Sequence, residues 1–158
     1  KYPENIGEFK EALGIPEIVQ EATDLTIVSY GSTFNICEMA AKPLAQLGIS
    51  VELVDVQTLI PFDIEHVIAK SVKKTNRLLI VDEDVSSGAT GYMLDKIMVE
   101  QKCFYHLDSA PLTLSSTDHR PAYGSDGDYF SKPNIDDIVE KVYAIMSESD
   151  PSAFPPLY

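Results

Sequence analysis

Three compact apolar runs, DLTIVSY at residues 24–30, SVELVDV at 50–56 and RLLIVDE at 77–83, are each followed by a segment whose apolar residues keep helical spacing. Short aliphatic and β-branched runs of this kind read as strands covered on both faces. Helical crossovers of 11–16 residues return the chain to the same end of a sheet, so the strands they join run parallel. This alternation predicts an α/β fold: a three-layer α/β/α sandwich with a mostly parallel sheet of about five strands. CFYHLD at 103–108 supplies the expected fourth strand and PLTLSS at 111–116 a possible fifth.

The helices carry their own punctuation. Ser32 or Thr33 is placed to cap the first, with Ile36, Met39, Ala40, Leu44 and Leu47 on its buried face, Pro43 as an expected kink and Gly48 as its stop. The second is expected over 64–75, with lysines in its last turn, and the third within 86–102. Asn134 with Asp137 three residues on forms a capping box for a last helix reaching about Ser147. Residues 1–23 read as a linker arm, 24–148 as the domain and 149–158, with three prolines, as a non-helical tail.

The stretch VDVQTLIPFD, residues 54–63, reads as a strand-to-helix elbow. Pro61 disfavours the α conformation at Ile60, Asp63 is placed to cap the following helix, and Phe62 to staple onto an apolar residue such as Val67.

At 158 residues with 44% hydrophobic composition, the chain suits one globular domain. Twenty-five acidic against twelve basic residues give a net charge of −13, which argues against nucleic acid as a partner, since phosphate neutralisation needs clustered Lys and Arg. A solvated acidic surface, or one facing a basic partner, fits better. No run approaches the length of a membrane span, and no signal peptide opens the chain. The start without Met suggests a piece of a longer protein. Cys37 and Cys103 share no ligand or redox spacing and read as free buried thiols.

Several of these segments, in order, resemble one family. DVQTLIPFD is similar to the D-x-R-T-I-x-P-x-D signature of transketolase C-terminal domains. DLTIVSYG, NRLLIVDED, GATGYMLDKI and HLDSAPLTLSSTDHRPAYG follow the beta part of thiamine-diphosphate-dependent 2-oxoacid dehydrogenases. The resemblance covers about residues 15–148. It departs at Gln57, where the family has Arg, at Ala89 and Thr117, where Gly is common, and at Leu114, where Arg is common. It implies a C-terminal domain for subunit assembly and partner docking, with no catalytic, cofactor-binding or metal residue of its own. Thiamine diphosphate and Mg²⁺ would be held by upstream domains, the G-D-G…N diphosphate motif being absent here, and no cofactor is expected in this chain. The implied partners are an alpha subunit or alpha part, a second beta subunit and the lipoyl acyltransferase, in the cytoplasm or the mitochondrial matrix.

Chemical candidates remain few. Asp82, Glu83 and Asp84 fall at the carboxyl end of an expected strand, where open α/β sheets place their sites, and read as a helix-start or interface cluster. A receiver-type Mg²⁺ site would need further acids after the first strand, where Tyr30-Gly31-Ser32 stands. His119, between Asp118 and Arg120, is a candidate for facing a ligand or subunit interface, and Tyr158 in the apolar tail for packing on a neighbour. His66 and His106 read as structural, and SDGDYF at 125–130 as a surface turn. The alternative function is a flavodoxin-like FMN carrier, suggested by the Ser/Thr-rich YGSTFN after the first strand. The Gly and second hydroxyl usual in that phosphate cradle are missing.

Overall fold

The structure, a computed structural model, describes residues 4–8, 10–121, 123–124 and 126–156. Five strands form one sheet: β1 (Glu17–Gln20), β2 (Leu25–Ser29), β3 (Val51–Asp55), β4 (Leu78–Val81) and β5 (Leu112–Leu114), in spatial order β1-β3-β2-β4-β5. The β2, β3, β4 and β5 strands run parallel, and β1 joins the edge antiparallel to β3. Helices α1 (Gly31–Gln46) and α5 (Ile135–Ser149) cover one face; α2 (Val67–Thr75) and α3 (Ala89–Asp95) cover the other. A short helix, α4 (Gly127–Ser131), precedes α5.

Side chains alternate across the central strands as the pleat requires. Leu25, Ile27, Leu53, Leu79 and Val81 enter the α1–α5 layer, while Val28, Val54, Leu78 and Ile80 enter the α2–α3 layer. Two polar residues in this sheet are matched by α2. Thr26 Oγ1 lies 2.7 Å from both Ser71 Oγ and Thr75 Oγ1, and buried Glu52 pairs with Lys74 and accepts from Ala22 N at 3.1 Å. The Thr26 hydroxyl and Glu52 Oε2, matched in this way, avoid the cost of unmet hydrogen bonds, while Glu52 Oε1 has no partner among the described residues.

Several local expectations need correction. Residues 17–20, placed in the linker arm, form β1, and Gln57 ties the elbow to this strand through Nε2 to Glu17 Oε2 at 3.1 Å. CFYHLD is no strand: residues Cys103–His106 make a 3₁₀ turn in which only Cys103 is buried, so its aromatic content reflects exposed Phe104 and Tyr105 rather than a sheet. The α1 helix starts at Gly31 with no side-chain cap, so Ser32 and Thr33 sit inside its first turn. Pro43 does not interrupt it; one turn from the end, the ring leaves only the carbonyl of half-exposed Met39 without a helical donor. Gly48, at φ 78°, ends the helix as expected.

The elbow does its predicted work by a longer route. The α2 helix begins at Val67, three residues later than expected, with His66 left-handed at φ 56° in front of it rather than inside it. Asp63 still caps it: Oδ1 accepts from Val67 N at 2.7 Å and Oδ2 from Ile68 N at 2.9 Å. Phe62 meets the edge of Tyr92, ring centroids 5.9 Å apart, and Tyr92 OH donates to Leu59 O at 3.1 Å. The arm closes on the elbow through Ile64 N to Gly14 O at 2.9 Å, where a Cβ on Gly14 would stand 2.8 Å from Pro61 Cγ. Only glycine fits that approach. The Asn134 capping box is present as read, and α5 runs two residues further than expected.

Candidate functional site

The chain moves outward from β2 to β3 and then crosses back to β4, so the sheet's topological switch lies between β2 and β4. Crevices at this point, outside the carboxyl ends of the strands, are where open α/β sheets bind ligands. Here the crevice is a cleft of 420 Å³ lined by Tyr30, Gly31, Ser32, Thr33, Asp82, Glu83, Asp84 and Lys132. Tyr30 follows β2 directly and Asp82 follows β4 directly, so the ends of adjacent strands bring together residues 52 positions apart.

Tyr30 OH donates to Asp82 Oδ2 at 3.0 Å. Burial and the neighbouring Asp82 charge push the Tyr30 phenol up to about 12. Ser32 Oγ donates to Glu83 Oε1 at 3.1 Å, and Lys132 Nζ reaches Glu83 Oε2 at 3.1 Å and Asp128 Oδ1 at 3.8 Å. The Lys132 ammonium holds the Glu83 carboxyl below its ordinary range, and Glu83 raises Lys132 in return. Ser116, beyond β5, donates its hydroxyl to the Glu83 carbonyl, and Ser116 N donates to Asp84 O at 3.0 Å, which fixes the acidic segment to the loop after β5. A second, more apolar cleft of 560 Å³ adjoins the first and shares Ser32, Glu83 and Lys132 with it, adding Ile36, Met39, Tyr129 and Ile135.

The sequence candidates thus separate. Asp82 and Glu83 come together in the cleft. His119 stands exposed in the loop after β5, its Nδ1 within 3.1 Å of Arg120 O, and does not line the cleft. Tyr158 lies outside the described residues. His66 is exposed ahead of α2, and His106 ends the 3₁₀ turn rather than lying in a strand. Cys37 and Cys103 are buried free thiols on opposite faces of the sheet, raised by burial to about 12 and about 11. The sequence pointed to Tyr30 and Thr33 only as a strand end, a helix cap and part of the FMN-cradle alternative, and not at all to Lys132. The first two were marked by the end of a buried strand; nothing local marks Lys132.

The cleft does not suit thiamine diphosphate. Asp82, Glu83 and Asp84 oppose a diphosphate, the one lysine is engaged by Glu83, and no group of three His, Cys, Asp or Glu placed to hold a metal occurs among the described residues. The opening for an FMN cradle is also small, because α1 starts one residue after Tyr30 and leaves no hydroxyl-rich loop between strand and helix.

Residues 14–136 match the family described as transketolase, C-terminal domain. The chain belongs to that family. It is 38% identical over 111 residues, 70% of its length, to the pyruvate dehydrogenase E1 component subunit beta of Acholeplasma laidlawii, and covers 33% of that relative. It is 40% identical over 102 residues, 65% of its length, to the mitochondrial 2-oxoisovalerate dehydrogenase subunit beta 2 of Arabidopsis thaliana, covering 28% of it. The transketolase C-terminal domain described here therefore spans about a third of the length of the curated relatives it matches. In fold it is similar to a split-gene transketolase solved as an inactive β4 tetramer, with a TM-score of 0.73 at 22% identity, over 90% of this chain and 44% of that one.

Proposed function

We propose that this domain is the C-terminal part of the beta component of a thiamine-diphosphate-dependent 2-oxoacid dehydrogenase acting on pyruvate or a branched-chain 2-oxo acid. The observation that carries the reading is the identity of 38% over 111 residues and 40% over 102 residues to beta chains of these two dehydrogenases. In the parent enzyme, decarboxylation takes place on thiamine diphosphate held with Mg²⁺ by other domains, and the acyl group passes to lipoamide. The cofactor supplies the carbanion chemistry, and protein domains supply orientation and electrostatics.

This domain's share is assembly with an alpha subunit and a second beta subunit, and docking of the lipoyl acyltransferase. Its net charge of −13 suits a basic partner surface, and Asp82, Glu83, His119 and Tyr158 are proposed as residues facing an interface or ligand. Among the described residues no helix is long and apolar enough to cross a membrane. The proposed compartment is the cytoplasm or the mitochondrial matrix, the latter matching the mitochondrial naming of the plant relative.

The test is to titrate the purified chain with thiamine diphosphate plus Mg²⁺ and, separately, with FMN. The same chain is then grafted in place of the C-terminal domain of a pyruvate dehydrogenase beta subunit. Neither cofactor should bind the isolated chain, and the graft should assemble with the alpha subunit and transfer acetyl groups to lipoamide. Saturable FMN binding would replace this reading with an electron carrier, and a soluble graft that never assembles would remove the assembly role.

A further inference from the structure

Three large aliphatic side chains stand out of the fold where the arm meets the elbow. Leu13 is 73% exposed, Ile60 82% and Ile64 58%. One contact gathers them: Ile64 N donates to Gly14 O at 2.9 Å, and a Cβ on Gly14 would stand 2.8 Å from Pro61 Cγ and 3.3 Å from Ile64 Cγ2. Leu13 adjoins Gly14 and Ile60 adjoins Pro61, so arm and elbow present one aliphatic patch. Single apolar residues are ordinary on a protein surface, but a grouped patch marks an interaction site.

The patch is carried on a rigid support. The Asp63 carboxylate accepts from Val67 N, Ile68 N and Gln101 Nε2, while Tyr92 donates to Leu59 O and meets the edge of Phe62. A surface fixed in this way loses little conformational freedom when it is covered. Its chemistry is that of a permanent interface, since lasting interfaces are more apolar than transient ones. A partner steered by charge would meet the acidic surface instead.

The occupant follows from where the patch sits in a longer chain. The family match is to a C-terminal domain and begins at residue 14, beside Leu13. This chain covers only 33% and 28% of the two beta relatives, so about two thirds of such a chain lies outside it. A domain joined through the arm would be held next to the patch at high effective concentration.

We propose that the arm–elbow patch is the docking surface for the domain that precedes this one in the full beta chain, a proposal that rests on the reading of this chain as the C-terminal part of a beta component. Leu13 supplies the contact from the connecting arm, and Ile60 and Ile64 supply it from the elbow.

The experiment compares maleimide labelling of Leu13→Cys and Ile60→Cys in this chain and in the full beta chain, each rate normalised to the same protein in urea. Cys37 and Cys103 are buried, and mass spectrometry locates the label. Both new thiols should react freely in this chain and about tenfold or more slowly in the full beta chain purified without its alpha subunit, as expected of a water-excluding contact. As a second readout, Ile60→Asp should leave the melting temperature of this chain unchanged and lower that of the full chain. The proposal is overturned if both thiols stay reactive in the full chain, or if Ile60→Asp leaves the melting of both proteins unchanged. Protection that appears only when an alpha subunit is added, or that grows with the concentration of this chain alone, gives the patch to another subunit or to a second copy and overturns it equally. A full chain that protects both thiols yet neither assembles with an alpha subunit nor transfers acyl groups removes the enzyme assignment and upholds the docking surface.

Discussion

Asp63 and Asp82 are both almost inaccessible, at 1% and 3% exposure, yet the fold uses them in opposite ways. Asp63, in the elbow after β3, is saturated: Val67 N, Ile68 N and Gln101 Nε2 donate to it at 2.7, 2.9 and 2.9 Å. Among the described residues, Asp82, after β4, has only the Tyr30 hydroxyl as a side-chain partner. A buried carboxylate that accepts several N–H bonds orders the backbone around it, whereas one that lines an open cleft can be matched by water. The helix starts repeat the contrast. Asp63 caps α2 and the Asn134–Asp137 box caps α5, but α1 opens on the cleft with no side-chain cap.

Paired substitutions break the comparison most directly. Asp63→Asn tolerates the positive φ of 38° but turns an amide NH₂ toward donors that need an acceptor. It should lower unfolding free energy by about 2 to 3 kcal/mol in urea titrations, the range for leaving buried donors unmatched. Asp82→Asn should cost less than about 0.5 kcal/mol, within the range of changes that break no such network. Equal losses from the two would erase the distinction between a scaffold carboxylate and a site carboxylate.

A second pair tests the helix starts. Asn134→Ala removes the capping box of α5 and should cost about 1 kcal/mol. Ser32→Ala, in the uncapped first turn of α1, loses only an exposed bond to Glu83 and should change stability by less than about 0.5 kcal/mol. Melting temperatures measured side by side would show whether the fold depends on one helix start and not on the other.

Much of the scaffold half of this comparison can be read from residues alone. The three strand runs, the Asn134 box and the capping role of Asp63 are local patterns, each written within a few positions, and each is present in the structure. The edge strand β1 was hidden because EIVQ is four residues long and mostly exposed, and gains its strand character only by pairing with β3. CFYHLD misled because aromatic residues favour strands on average, while here a turn carries two of them outward. The cleft half is harder. Asp82 and Glu83 were visible as acids at a strand end, but Tyr30 and Lys132 reach them across 52 and 49 positions, through a crossover that no local pattern encodes.

The pH dependence of stability separates the cleft further. The folded pKa of Tyr30, about 12, lies above its ordinary value of 10.0, so the fold favours the protonated phenol. That contribution is complete below pH 10 and is lost as pH rises toward 12. Urea unfolding followed between pH 9 and pH 12 should therefore show a smaller loss for Tyr30→Phe than for the parent chain. Parallel losses would mean that the Tyr30–Asp82 contact does not persist in solution.

The smallest effect is expected at the cleft mouth. Lys132 holds the Glu83 carboxyl below its ordinary 4.5, so this pair contributes above that pH and its contribution fades as pH falls through the lowered value. Both side chains are more than a third exposed, at 38% and 43%, and solvent screening leaves a few tenths of a kcal/mol at most. Lys132→Gln should therefore cost that little at pH 7, and the gap should close as pH falls through the lowered Glu83 range and in high salt. A cost approaching that of Asp63→Asn would move Lys132 from the cleft to the scaffold and end the contrast between a carboxylate that orders the backbone and one that lines a cleft.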